Sequence, residues 1–201
     1  MAPKERRRAV AQFDERIVAH ILLWEVSYTA KPGEPGESMY RNASRKGYHV
    51  VPGDAGGPTM CGVTIGTYTQ FRKRQGKPAP TVAELRRLPY AEWIEIMRSM
   101  FWTRIKGDGI RSQSVALMLM DWTWTSGVSA IKRVQRMLGT AADGIVGSKT
   151  LSLLNSGDPA AMFRRIAEER ERFYREVAAK PGQRKFLQGW LNRTRSIVFR
   201  G

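Results

Sequence analysis

The sequence predicts a mainly α chain of α+β class, a helical bundle carrying one small β-hairpin. Three observations lead there. Apolar residues recur at helical spacing over most of the chain, strand-like alternation is confined to about residues 48–65, and Gly/Pro punctuation separates the helical stretches. With 201 residues and 42% hydrophobic content there is enough apolar side chain for one substantial core or two small lobes.

Phe13, Ile17, Ile21, Leu22 and Trp24 set out an amphipathic helix over about 12–26, with Glu25 four residues after Ile21 on the same face. Residues 30–53 change character: Lys31-Pro32-Gly33-Glu34-Pro35-Gly36-Glu37 reads as a breaker-rich loop, and Arg41 to Lys46 as a polar, basic stretch. Tyr48-His49-Val50-Val51 reads as a short strand entering a turn at Pro52-Gly53-Asp54, with Val63-Thr64-Ile65 as its hairpin partner. A basic helix follows over 67–75. Thr81-Val82-Ala83-Glu84 has the form of a capping box, and Pro89 opens a helix with Trp93, Ile94, Met97, Phe101 and Trp102 as its stripe. Residues 111–126 form a very apolar helix. Further helices are expected over about 128–138, 148–155, 159–179 and 183–197, with a turn at Ala142 to Gly147.

There are 34 Lys plus Arg against 18 Asp plus Glu, a formal charge of +16, which implies an acidic partner or a solubilising surface. Cys61 is the single cysteine, so no intrachain disulfide forms. Met1 to Arg8 is basic, but Gln12, Asp14, Glu15 and Arg16 interrupt any apolar signal core after it, and the longest apolar run, Val115 to Met120, is too short to span a bilayer. The expectation is synthesis in the cytoplasm without a signal peptide. Two histidines and one cysteine give no workable zinc set, so no metal or cofactor is expected. The basic residues are scattered and form no nucleic-acid-binding motif.

The chemistry points to glycans. Glycoside hydrolysis needs a proton donor at the leaving oxygen and usually a second carboxylate. Glu25, on the apolar side of its helix beside Ile21 and Trp24, suits the donor, and Asp54 is the natural second acid, with Glu34 and Glu37 as rivals. Gly56 and Gly57 allow close backbone approach to a sugar, and Thr59 and Thr64 offer hydroxyls. The same pattern also fits a rim glutamate beside an ordinary glycine turn. Tyr28 is placed to stack on a sugar ring. Trp122 and Trp124 are either sugar platforms or core aromatics, and being two apart on a helix they face different ways.

Together, Trp24-Glu25, Asp54-Ala55-Gly56-Gly57-Pro58-Thr59 with Gly62-Val63-Thr64, Gln135 to Gly139 with Ala142 to Thr150, and Phe186 to Arg193 give four motifs in order. In these the chain resembles glycoside hydrolase family 108, the lysozyme-like N-acetylmuramidases, joined to their C-terminal peptidoglycan-binding half. It departs from the family in having Val26-Ser27 where Gly-Gly usually follows the glutamate, and in the 29 positions between Glu25 and Asp54. The resemblance implies a lysozyme-like catalytic lobe over 1–127 and a helical peptidoglycan-binding lobe over 128–201, the latter using Asp143, Gly144 and Gly147. It implies cleavage of the β-1,4 bond between N-acetylmuramic acid and N-acetylglucosamine by a monomer acting on peptidoglycan glycan strands, and the charge of +16 fits anionic envelope polymers that would concentrate it there. A phage or prophage endolysin released by a holin or by lysis fits this reading. A lytic transglycosylase, or a cell-wall-binding protein without catalysis, stands as the alternative.

Overall fold

The computed structural model describes residues 10–50 and 57–201. The chain divides into two compact units: Asp14–Met100, and the described part of residues 1–13 together with Phe101–Gly201.

The first unit begins with α1, Glu15–Val26, capped by the Asp14 carboxylate on the Arg16 N–H. Ile17, Val18, Ile21 and Leu22 form its buried stripe. Next comes α2, Gly36–Ala43, where the sequence suggested a loop. Its Met39, Tyr40 and Ala43 are buried, and the breaker pair Pro35-Gly36 starts the helix instead of preventing it. Gly36 lies so close to Tyr90 that an added Cβ would sit 2.5 Å from the phenol oxygen.

The sheet is a three-stranded antiparallel meander of β1 (Tyr48–His49), β2 (Thr59–Met60) and β3 (Val63–Thr64). This corrects the expected pairing: β3 pairs with β2, through Thr59–Thr64 and Met60–Val63, and β1 pairs with the other edge of β2. The β2–β3 link is the two-residue turn Cys61-Gly62, with φ of 46° and 81°. Positive φ at both positions matches the strand twist in short hairpins. Ile65 opens α3, Ile65–Arg74, instead of extending the strand. Then come α4, Val82–Arg86, with the capping box of Thr81 and Glu84 formed from both sides, and α5, Tyr90–Ile96. Trp93 and Ile96 are buried, and the Trp93 ring lies 4.9 Å from that of Tyr40.

A π-helical segment, Met97–Trp102, leads into the second unit. There α6, Gln113–Ser126, packs against α7, Val128–Met137, and α9, Pro159–Ala178; α9 also packs against α10, Leu187–Ser196. The short α8, Ser148–Leu154, lies between α7 and α9 in sequence. At the centre, the fully buried Asp121 carboxylate accepts from Arg170 Nη2 at 2.7 Å and from Arg193 Nη2 at 2.7 Å and Nε at 3.0 Å. One buried anion thereby joins α6, α9 and α10. No described helix is long and apolar enough to cross a membrane.

Candidate active site

Glu25 occupies the last turn of α1 and is half-buried. The helix stops just beyond it because Ser27 turns left-handed, at φ 54°, and donates its N–H to the Leu22 carbonyl. This is a C-cap position that glycine usually fills, held here by a serine. The carboxylate lies within electrostatic reach of Cys61. Burial, and then the charge of Glu25, push the Cys61 thiol up to about 12. The charge of Glu25, at the end of α1, is thus felt at Cys61 in the β2–β3 turn.

That turn is firmly built. The Cys61 N–H donates to the Gly47 carbonyl at 2.9 Å, and the Trp93 indole N–H donates to the Cys61 carbonyl at 3.0 Å. A Cβ on Gly47 would run into the Cys61 sulfur. Sequence reading singled out the glycines and threonines around this turn but missed Cys61 itself. The available signal was an X-Gly dipeptide between two short β-prone runs.

The other predicted residues fall in different surroundings. Asp54 and Gly56 lie outside the described residues. Gly57 adopts φ 65°, a conformation that favours glycine. The buried Thr59 donates its hydroxyl to the Gly57 carbonyl at 3.3 Å. Thr64 is the N-cap of α3: its hydroxyl accepts the Thr67 N–H at 3.1 Å and donates to the Thr67 hydroxyl at 3.0 Å. Tyr28 directs its hydroxyl to the Glu34 carboxylate, which also accepts from the Lys31 N–H, Ser38 and Asn42. The Lys31 N–H, then Tyr28, hold Glu34 down at about 2. With its oxygens engaged in this way, Glu34 closes the loop after α1. Glu37 stands exposed in the first turn of α2.

Trp122, Trp124, Asp143, Gly144 and Gly147 belong to the second unit. Trp122 is fully buried and packs on Phe173, so of the two roles left open by the sequence it takes that of a core aromatic and not that of a sugar platform. Trp124 is half-buried, its ring 4.7 Å from that of Phe101. The Asp143 carboxylate accepts from the Ile145 N–H at 2.8 Å and from Gln135 Nε2 at 2.7 Å, bonds that hold its pKa below the usual value. Gln135 in turn accepts the Gly144 N–H at 2.8 Å, and a Cβ on Gly144, at φ 81°, would collide with Val128. These residues lock the turn between α7 and α8. Gly147 is the N-cap of α8 and has open space around it. The described residues contain no group of three or more His, Cys, Asp or Glu able to hold a metal ion.

Comparison with known proteins agrees with this architecture. The chain is similar to a solved structure, that of Brucella abortus SagA, with 25% sequence identity and a TM-score of 0.65, covering 75% of this chain and 83% of that one. No curated protein matches it. The family Glycosyl hydrolase 108 matches residues 43–127, a span that begins after Glu25, and the family Predicted Peptidoglycan domain matches residues 129–195. The chain is thus a glycosidase-type enzyme, with a glycosyl hydrolase 108 domain followed by a predicted peptidoglycan domain.

Proposed function

We propose that the chain hydrolyses peptidoglycan at the β-1,4 bond between N-acetylmuramic acid and N-acetylglucosamine, with Glu25 as general acid. The observation that carries this reading is the half-buried Glu25 in the last turn of α1, at a helix end fixed by the Ser27 cap. A helix end fixed by the Ser27 cap gives a proton donor the constant position that acid catalysis needs. Glu25 protonates the glycosidic oxygen as the bond breaks. Asp54 then activates water or stabilises the oxocarbenium-like state. A separation of about 5–5.5 Å between the two carboxyls makes the enzyme retaining, and about 6.5–9.5 Å makes it inverting.

In this reading residues 1–127 carry catalysis and 128–201 hold the wall. The half-buried Trp124 and the ring of Tyr28 offer apolar faces to sugar. The charge of +16 concentrates the protein, as a monomer, on anionic envelope polymers, so binding weakens as salt rises. Release by a holin or by lysis delivers it to the wall, as for a phage or prophage endolysin.

The test is mass spectrometry of purified peptidoglycan digested by the wild type and by Glu25→Gln, with borohydride reduction of new ends. Reduced muramic acid ends are expected from the wild type, and a rate lower by about 10²–10⁴-fold from the variant. Anhydro ends would make it a lytic transglycosylase. Full activity in Glu25→Gln would assign the proton to another group.

A further inference from the structure

The second unit contains a polar pocket lined by none of the residues assigned above. It is a cavity of about 420 Å³ lined by Arg111, Ser148, Leu151, Ser152, Asn155 and Ser156. That volume lies in the range of small-ligand sites.

Its construction is specific. Asn155, the C-cap of α8, accepts the Arg111 N–H on Oδ1 at 2.8 Å and donates from Nδ2 to the Gly109 carbonyl at 2.7 Å. Its own carbonyl accepts from Arg111 Nη1 at 3.4 Å. One side-chain amide therefore fixes the 109–111 segment to the end of α8. Gly109 packs so closely on Leu151 that a Cβ there would lie 2.7 Å from a Leu151 methyl.

Two features of the lining offer groups to a ligand. Arg111 makes its hydrogen bonds to Asn155 and, among the described residues, has no carboxylate partner, so the exposed guanidinium that lines the cavity keeps N–H groups for an anion. Ser148 and Ser152, one turn apart on the same face of α8, have no protein hydrogen-bond partner among the described residues, and Ser156 uses its hydrogen on the Leu153 carbonyl and keeps its lone pairs. A guanidinium beside a row of hydroxyls matches a small ligand that carries one carboxylate and several hydroxyl or amide groups.

We propose that this pocket binds an acidic amino sugar, the muramic acid residue of a glycan strand, with Arg111 on the lactyl carboxylate and Ser148 and Ser152 on its polar substituents. The choice of sugar rests on the peptidoglycan reading above; the chemistry of the pocket does not. Arg111 precedes the segment matched by the predicted peptidoglycan domain and Ser148 to Ser156 lie within it, so the pocket needs residues on both sides of that boundary.

The test is ¹H–¹⁵N NMR titration of the full chain with N-acetylmuramic acid and, separately, N-acetylglucosamine, which lacks the lactyl group. Shifts are expected at the amides of Arg111 and Ser148 to Ser156, with N-acetylmuramic acid binding about fivefold tighter, the scale of one exposed charged contact. Arg111→Met keeps the aliphatic stem and the backbone bond to Asn155 and should erase that preference. Ser152→Leu should fill the cavity and abolish the shifts. Equal binding of both sugars, shifts confined to other residues, or an unchanged preference in Arg111→Met would overturn the proposal. If pocket shifts persist while digestion yields no muramic acid ends, the hydrolase reading falls and the pocket stands; muramic acid ends with a silent pocket do the reverse.

Discussion

The phenol oxygen of Tyr28 lies 2.8 Å from both carboxylate oxygens of Glu34. With the Lys31 N–H, Ser38 and Asn42 on the same carboxylate, Glu34 is ionised down to about 2, against an ordinary value of 4.5. Its folded-state pKa is depressed, so its contribution to stability is complete above about 4.5 and fades as the pH falls toward 2. Thermal melting followed by circular dichroism should lose stability across that window in the wild type. Glu34→Gln should melt lower at neutral pH and show a shallower decline between pH 4.5 and 2. Parallel curves would mean that the carboxylate contributes nothing there.

Cys61 should be inert in the folded chain. Its thiol is buried and pushed up to about 12, so almost none is thiolate near neutral pH. Ellman's reagent should find no reactive thiol before denaturation and one per chain after it. In Glu25→Gln the alkylation profile should move to lower pH, because a negative neighbour has gone, while burial keeps most of the shift. An unmoved profile would separate Glu25 from the hairpin tip.

Gly47 and Cys61 form a steric pair. Gly47→Ala puts a methyl group onto the Cys61 sulfur and should cost about 1–3 kcal/mol. Adding Cys61→Ala removes the opposing atom and should recover part of that loss. Additive losses in a denaturant-based double-mutant cycle would show that the two do not meet.

Asp121 balances two buried guanidiniums. Asp121→Ala leaves both uncompensated and should destabilise the fold by about 3–5 kcal/mol, measured as a lowered urea midpoint. A loss under about 1 kcal/mol would mean that water reaches the site.

Where local chemistry decides structure, the sequence was readable. The Thr81–Glu84 capping box forms as its spacing predicts, and α9 begins at Pro159, where a helix over about 159–179 was expected. Glu25 lies in the last turn of a helix expected to end there. The failures share a cause. Pro35-Gly36 read as a breaker, yet burial of Met39, Tyr40 and Ala43 carries α2 through. The hairpin was joined to the wrong strand because Cys61-Gly62 is a weak turn signal, made firm by Gly47 and Trp93 from elsewhere in the chain. The hydroxyls of Thr64 and Tyr28 meet Thr67 and Glu34, partners that composition alone does not single out. Trp122 and Trp124 are the same residue type two positions apart, and tertiary packing alone makes one fully buried and leaves the other half-exposed.

The Asp121–Arg193 ion pair joins residues 72 positions apart. At synthesis rates of about 5–20 residues per second, roughly 4–14 s separate the appearance of the two side chains. Through that interval α6 carries a carboxylate that cannot enter an apolar interior without a large desolvation penalty. Emergence of α9 supplies Arg170, and the bidentate partner arrives only with α10. The charge balance at the centre of the second unit is therefore complete only once α10 has been synthesised and both arginines are at hand.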